Sequence, residues 1–263
     1  MPAFSVVMIA QDAERSLAWA LDSACGADDL LVVDGGSRDR TCSIAAAAGA
    51  RVLERRFDDY SSQKNFANSN AAHDWVFSLD ADEAIDPVLG AALDRFRRTS
   101  AERLPAGYRV ERRSFFLGRW VRHGGWWPDR AVRLFNRHQA SWRGIVHERL
   151  ELHGAIEDLP GHLEHRTYAD TEDQRFRLER YAQLWARAQR QEGRSGSHLR
   201  LLAGPPLAFL GRFIARLGLL DGRAGLWIAW GQARHVFRRE TILLSGADRD
   251  SDNEPARRSL SED

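Results

Sequence analysis

The chain has 263 residues, of which 43% are hydrophobic and 29% are charged, and it contains two cysteines. This composition is that of an ordinary globular protein, and it excludes a collagen-like, a disulfide-scaffold and a wholly disordered chain. The net charge of +1 hides an acidic front and a basic back: residues 1–100 carry 10 basic and 16 acidic side chains, and residues 101–240 carry 25 and 15. The basic part indicates an anionic partner such as a lipid surface, a phosphorylated acceptor or nucleic acid.

The first 80 residues alternate between strand-like and helix-like segments. This alternation favours a parallel, doubly wound α/β sheet, in which functional groups collect at the carboxyl ends of the strands. Strands are predicted at 4–10, 30–34, 51–53 and 75–79, and helices at 13–25, 39–49 and 61–73.

After residue 105 the pattern changes. Residues 108–116 alternate as a half-exposed strand does, whereas residues 117–150 are rich in Trp, Arg and Gly and show little periodicity. An amphipathic helix is predicted at 170–192, with Phe176 and Tyr181 among its apolar positions, and two apolar, arginine-rich helices are predicted within 200–240. We therefore expect a catalytic domain at 1–165, a helical region at 166–245 and a disordered tail at 246–263.

An apolar strand-like run that ends at Leu79 leads directly into three carboxylates, Asp80, Asp82 and Glu83. Clustered carboxylates repel one another, so the cluster is costly unless a cation lies beside it. Oxygen ligands without a nearby cysteine indicate Mg²⁺ or Mn²⁺, and such an ion typically holds a diphosphate. The alternative is a solvated acidic turn that caps the next helix.

Two further segments place polar groups near strand ends. Asp34 ends the second predicted strand and is followed by two glycines, which let the backbone approach a ligand closely. It could bind a base or a ribose, or it could form a tight strand-to-helix turn with Asp39 as a cap. Gln63, Lys64 and Asn65 precede the acidic strand, where they could point into the same cleft or form a solvated helix face.

Aromatic, arginine and carboxylate side chains are concentrated between residues 124 and 148. Arginine pairs with phosphate and aromatic rings stack on the apolar faces of sugars, so this composition suits a sugar site. Either His147 or Glu148 could take a proton from an acceptor hydroxyl. The alternative is a set of core tryptophans and surface arginines.

Taken together, these segments resemble the family 2 glycosyltransferases of GT-A fold, and more narrowly the bacterial lipopolysaccharide-core β-glucosyltransferase branch. The resemblance covers residues 4–240. It is carried by segments 32–41 (VVDGGSRDRT), 63–65 (QKN), 75–83 (WVFSLDADE), 127–135 (WPDRAVRLF), 146–148 (VHE), 165–168 (HRTY), 180–181 (RY) and 220–225 (LDGRAG).

The resemblance implies a Rossmann-like, mostly parallel sheet with flanking helices and a C-terminal helical extension. It also implies inverting transfer of glucose or another hexose from a nucleoside-diphosphate donor, above all a UDP-sugar, with Mg²⁺ or Mn²⁺ as cofactor. Asp82 and Asp80 would be the metal ligands, and Glu148 falls where the catalytic base is expected, with Asp129 as the second candidate. Donor contacts are expected from Gln11, Asp12, Asp34, Lys64, Asp80, Arg130, Arg133 and His147. The family often has Asn-Glu where this chain has Gln11-Asp12.

The acceptor implied by the resemblance is a lipopolysaccharide-core or lipid-linked glycan, and nucleic acid is not an expected partner. Apolar and arginine residues within 200–240 are typical of helices in an anionic membrane interface, although helices that pack on the catalytic domain or on a dimer partner would share this composition. No apolar run reaches the length of a membrane span and no signal peptide is visible, so we expect a peripheral protein on the cytoplasmic face of the cytoplasmic membrane. The competing hypothesis is a non-catalytic, basic lipid- or nucleic-acid-binding module on a GT-A-like scaffold, which would explain the arginines but not the acidic strand end.

Overall fold

A computed structural model describes residues 1–100, 104–144, 148–168 and 170–245. The predicted strands of the first 80 residues lie within one residue of the observed ones. The observed helices are shorter than predicted, because segments such as 14–16 form turns. The elements run β1 (Phe4–Ala10), α1 (Leu17–Ser23), β2 (Asp29–Asp34), α2 (Thr41–Ala47), β3 (Arg51–Glu54), α3 (Tyr60–Asn70), β4 (Trp75–Ser78), β5 (Glu83–Ile85) and α4 (Pro87–Arg97).

Nine strands within the described residues form one sheet. Strands β1 to β4 pair in parallel, β8 (Asp129–Asn136) runs antiparallel between β4 and β6 (Gly107–Phe116), and β11 (Ile156–His165) is parallel to β6. The order is β3-β2-β1-β4-β8-β6-β11-β5, and the short β7 (Arg119–Trp120) pairs with β6 alone. This mostly parallel sheet with flanking helices confirms the predicted fold class.

Apolar side chains on both faces of the sheet build two cores. On one face α1 and α4 pack over Met8 and Phe77, and on the other face α3 and the hairpin of β9 (Ala140–Arg143) and β10 (Arg149–Leu152) pack over Val76 and Phe135. Because adjacent residues of a strand point to opposite faces and both faces are covered, a central strand such as β4 is apolar from Trp75 to Phe77. The polar residues that follow β1, β2 and β4 therefore meet at one edge of the sheet.

Residues 117–150 are more ordered than their sequence indicates. The structure places β7, β8, a 3₁₀ turn at Arg137–Gln139, β9 and β10 there. Strand β8 is hard to recognise from the sequence because it is a central strand that carries the charged Arg133 among apolar neighbours. Arg133 is buried, with 4% of its surface exposed. Residues 145–147 lie outside the described residues.

Three helices follow the sheet: α5 (Thr171–Gln191), α6 (His198–Leu210) and α7 (Gly222–Ser245), with a π turn at Gly211–Ala215 and a 3₁₀ turn at Gly218–Asp221. The predicted buried face of α5 was wrong in part, because Phe176 and Tyr181 are exposed whereas Ala182 and Ala186 are buried. Small residues are favoured on the buried face of α5 because α5 packs closely on α7. At Gly231 of α7 there is no room for a larger side chain beside α5.

In the described part of the chain, no helix is both long and apolar enough to cross a membrane. The tail predicted at 246–263 lies outside the described residues.

Candidate active site

The acidic run after β4 lies at the carboxyl edge of the parallel strands. Asp80, Asp82 and Glu83 each face a different set of cations, and their side chains are only 29%, 19% and 0% exposed. A solvated acidic turn would leave these carboxylates in water. The cluster is therefore the anionic half of a buried ion network.

Lys64 joins Asp80 to Glu148 within this network. Its Nζ lies 3.1 Å from Glu148 Oε1, 3.4 Å from Asp80 Oδ1 and 4.6 Å from the ring centroid of Trp142. Although burial favours the neutral amine, the two carboxylates raise the pKa of Lys64, so the ammonium stays charged. Lys64 thereby holds the predicted base next to the first aspartate of the acidic run.

Arg133 and Arg112 hold the remaining carboxylates. Arg133 of β8 lies 3.2 Å from Asp80 Oδ2 and 2.5 Å from Glu83 Oε1, and Arg112 of β6 lies 3.2 Å from Glu83 Oε1. The register of β6 and β8 sets Arg112 opposite Asp129, to which it donates two hydrogen bonds of 2.6 and 2.8 Å. Burial raises the pKa of Glu83. Although burial also opposes ionisation of Asp80, Lys64 and Arg133 hold its pKa well below the usual range.

Asp82 faces two residues that sequence analysis left out of the site. His165, the last residue of β11, has its Nε2 3.6 Å from Asp82 Oδ1, and Arg177 of α5 has its Nη1 3.0 Å from Asp82 Oδ2. Against the effect of burial, these two partners lower the pKa of Asp82. The hydroxyl oxygens of Ser114 and Thr167 lie 3.3 and 3.1 Å from His165 Nδ1 and hold the ring from behind. The only sequence signal for His165 was its membership of the HRTY segment, since it is remote from Asp82 along the chain.

An imidazole nitrogen and a carboxylate oxygen thus lie side by side at the cleft. No group of three or more His, Cys, Asp or Glu residues among those described is arranged to hold a metal ion. Two protein ligands leave most positions of an octahedral ion to water and to phosphate oxygens, which is how Mg²⁺ is usually bound at phosphate sites. The residues therefore fit a metal that binds together with a diphosphate.

Asp34 shapes the turn after β2. It is buried, and its Oδ2 accepts hydrogen bonds of 2.9 Å from the backbone N–H groups of Gly36 and Ser37, while its Oδ1 accepts from the Ser37 hydroxyl. Gly36 has φ +99°, a conformation that favours glycine. The tight-turn interpretation explains these bonds, and a direct contact between Asp34 and a nucleotide stays a prediction.

Gln11 and Asp12 follow β1 at the same edge. Asp12 has φ +51° and its Oδ1 accepts a 2.8 Å hydrogen bond from the backbone N–H of Arg38. Gln11 Oε1 accepts a 3.3 Å hydrogen bond from Arg180 of α5, whose guanidinium lies 5.8 Å from the ring centroid of Phe57. Helix α5 therefore borders the predicted nucleotide end of the cleft as well as the acidic cluster.

The three polar residues near the start of α3, Gln63, Lys64 and Asn65, do not share one role. Gln63 accepts a 2.5 Å hydrogen bond from Arg55, and Asn65 bonds to the backbone N–H and C=O of Trp142 at 2.8 and 2.9 Å. Both amides fix α3 to its neighbours. Of the three, only Lys64 reaches the ion network.

One predicted donor contact, Arg130, is not brought to the network. Arg130 follows Asp129 in β8, so its side chain lies on the opposite face of the sheet, with Nη1 3.4 Å from Asp158. A contact between Arg130 and the donor stays a prediction. His147 lies outside the described residues, and Glu148 is the first described residue after it. The predicted residues that do meet are Lys64, Asp80, Asp82, Asp129, Arg133 and Glu148.

Residues 5–145, just over half of the chain, match the family model described as glycosyl transferase family 2. The lipopolysaccharide core biosynthesis glycosyltransferase LpsC of Rhizobium meliloti is 27% identical in an alignment 259 residues long, which covers 90% of this chain and 93% of that protein. An uncharacterized glycosyltransferase of Rickettsia typhi is 27% identical over 147 residues, 56% of this chain and 50% of its own length. The crystal structure of S. aureus TarS 1–349 with UDP-GlcNAc has a TM-score of 0.49 at 14% identity, over 91% of this chain and 90% of that one. The matched family model, together with the ion network at the strand ends, shows that the chain is a glycosyltransferase and belongs to glycosyltransferase family 2.

Proposed function

We propose that the chain transfers a hexose, with inversion, from a nucleoside-diphosphate sugar to a hydroxyl of a lipopolysaccharide-core or other lipid-linked glycan. The observation that carries the proposal is the ion network in which Lys64 holds Glu148 beside Asp80. Similarity to LpsC, a lipopolysaccharide core biosynthesis glycosyltransferase, over 90% of this chain supports an acceptor of that class. The proposed donor is a UDP-sugar, and the proposed location is the cytoplasmic face of the cytoplasmic membrane.

Cations of the network would stabilise the leaving nucleoside diphosphate. Negative charge grows on the diphosphate as the bond to the sugar breaks, and fixed cations stabilise it without reorganising during the reaction. Lys64, Arg133 and Arg177 are already held in place by carboxylates at 3.0 to 3.4 Å. Binding of the donor therefore needs little further ordering of these side chains.

Glu148 would take the proton of the acceptor hydroxyl as its oxygen attacks the anomeric carbon from the face opposite the leaving group. The side chain of Glu148 is 23% exposed, so an acceptor can reach it. Asp129 is the second candidate, but both hydrogen bonds from Arg112 fall on its Oδ2 and hold it against β6. A single displacement of this kind needs no covalent enzyme intermediate.

We propose that Asp82 and His165 hold the Mg²⁺ or Mn²⁺ ion, which would supply positive charge to the diphosphate. Both oxygens of Asp80 face Lys64 and Arg133, so Asp80 is the less available of the two aspartates. An imidazole nitrogen beside a carboxylate suits Mn²⁺ better than Mg²⁺, which prefers oxygen ligands.

A thermal-shift panel of UDP, GDP, CMP, dTDP and ADP, each with and without Mn²⁺ or Mg²⁺, tests the donor site. A ligand that binds the folded state raises the Tm by mass action. We expect metal-dependent stabilisation by one nucleoside diphosphate, and its loss in Asp82→Asn. If no nucleotide raises the Tm at saturating concentration, the proposed donor site is wrong and the competing hypothesis of a non-catalytic binding module gains support.

Glu148→Gln tests the base, because it keeps the shape of the side chain and removes the basic oxygen. Donor binding in the thermal-shift assay should persist while sugar transfer is lost. Asp129→Asn is the matched control and should retain transfer. Normal turnover by Glu148→Gln, together with loss of turnover in Asp129→Asn, would move the role of base to Asp129.

A further inference from the structure

An uncovered apolar row runs along α6 and the turns that follow it. Helix α6 contains no buried residue, and Leu202 and Leu207 are 77% and 66% exposed. The apolar positions recur at helical spacing, so they share one face of α6. The exposed members of this apolar row are Leu199, Leu202, Leu207, Leu210, Ile214, Leu217, Leu219 and Leu220.

Helix α7 packs against α6 and exposes large side chains of its own. Its exposed apolar residues are Leu226, Trp227, Trp230 and Phe237, whereas its opposite face is buried. Tryptophan with one polar edge is enriched at the boundary between hydrocarbon and water. The two helices together therefore leave an apolar surface with interfacial tryptophans beside it.

The exposed charges that residues 193–245 contribute to this surface are positive, although Arg194 and Arg238 pair with Glu192 and Glu179. Within residues 193–245, all of which the structure describes, the only carboxylates are Asp221 and Glu240, and both are buried at 2% and 1% exposure. A second copy of the chain would bring like charge against like charge, whereas an anionic bilayer would neutralise it. The arginines of the region are Arg194, Arg200, Arg212, Arg216, Arg223, Arg234, Arg238 and Arg239.

Hydrogen bonds connect the turns at the end of the apolar row to the loop that precedes β8. Buried Asp221, in the LDGRAG segment, accepts a 2.7 Å hydrogen bond from the backbone N–H of His123 and lies 3.1 Å from His123 Nδ1. Arg212 donates a 2.8 Å hydrogen bond to the carbonyl of Gly124. The loop at 121–128 continues directly into β8 at Asp129. These contacts fix the loop that leads into β8 to the turns at the end of the apolar row.

We propose that the apolar row and the exposed face of α7 dock on an anionic lipid bilayer, with leucines inserted among the lipid chains and arginines on the lipid phosphates. The contacts between Asp221 and His123 then hold the loop at 121–128, and with it the entrance to the proposed active site, against the bilayer. Presentation of a membrane-borne acceptor to the active site rests on the proposed function, whereas the docking on the bilayer does not depend on it.

Co-sedimentation with vesicles tests the docking. The full chain is mixed with vesicles of phosphatidylcholine alone and of phosphatidylcholine with phosphatidylglycerol. The variant L202E/L207E removes two inserted leucines, and V88E/I156E makes the same charge change at two exposed apolar positions on α4 and β11, outside the apolar row. We expect the wild type and V88E/I156E to pellet with the anionic vesicles, and L202E/L207E to bind roughly a hundredfold more weakly. Raised salt should weaken binding of the wild type because the arginine contacts are screened.

Equal vesicle binding by the two double variants, or equal binding of the wild type to both kinds of vesicle, would overturn the proposal. A wild type that sediments as a dimer without vesicles, when L202E/L207E is a monomer, would show instead that the apolar row is a subunit interface. Metal-dependent stabilisation by a nucleoside diphosphate, measured without lipid, reports on the proposed function separately. Failure of the docking and failure of the enzymatic proposal are therefore distinguishable.

Discussion

Removal of the Lys64 ammonium tests whether the ion network controls the proposed base. Nζ lies 3.1 Å from Glu148 and 3.4 Å from Asp80, and the side chain is 8% exposed. At an effective dielectric constant of about 20, each contact corresponds to about 5 kcal/mol of gross attraction. Burial of the charges offsets most of this, and removal of one partner from a buried pair typically costs about 3–5 kcal/mol.

Lys64→Met keeps the apolar stem and removes the charge. We expect the free energy of unfolding, measured by urea denaturation, to fall by about 3 kcal/mol. Because the Glu148 carboxylate then lacks the ammonium that holds it beside Asp80, kcat/KM for sugar transfer should also fall, by up to about a hundredfold if the base moves by about 1 Å.

Arg109→Met is the matched control, because Arg109 pairs with Asp158 at 2.9 Å but both side chains are nearly half exposed, at 46% and 48%. Its effect on stability should stay within about 1 kcal/mol, and kcat/KM should stay at the wild-type value. If Lys64→Met unfolds at the urea concentration of the wild type and keeps the wild-type kcat/KM, Lys64 does not hold the proposed base.

Three further predictions concern the packing of Gly225 on the turn at Gly218–Asp221, the stability in acid and the proposed metal site. Gly225→Ala should lower the Tm strongly, because a Cβ there would lie 1.8 Å from the carbonyl oxygen of Gly218, whereas Gly211→Ala meets nothing within 4 Å; equal Tm values for the two variants would contradict this packing. Burial raises the pKa of Asp29, but hydrogen bonds, chiefly from Arg51, lower it overall from 3.8 to about 2. Asp29 therefore contributes about 2 kcal/mol to the free energy of unfolding above pH 4, and this contribution is lost as the pH falls through 2. Asp29→Asn should therefore flatten the acid side of the curve of stability against pH. Asp58→Asn should flatten it less, because the hydrogen bond from Arg55 that lowers the pKa of Asp58 to about 2 lies at a 52% exposed position, where water screens it. His165→Ala should raise the Mn²⁺ concentration for half-maximal transfer by about tenfold or more, and an unchanged requirement would remove His165 from the metal site.

The first half of the sheet and the acidic cluster at its strand ends follow from local patterns of residues. Buried parallel strands consist of short apolar runs, and these runs end where the side chains become polar, so the strands and the acidic residues at their ends are local features. For the same reason Lys64 and the pair Asp80 and Asp82 were found without a structure. Local patterns failed in residues 117–150, where strand β8 buries the charged Arg133 among its apolar residues.

Which charges meet depends on how distant segments of the chain pack together. His165 reaches Asp82 because β11 ends beside the acidic run, and Arg177 reaches it because α5 crosses the carboxyl edge of the sheet. Strand register sets Arg112 opposite Asp129, and strand alternation turns Arg130 to the other face. These contacts join residues far apart in the chain, and their energy depends on distance and burial, which no local pattern of residues contains.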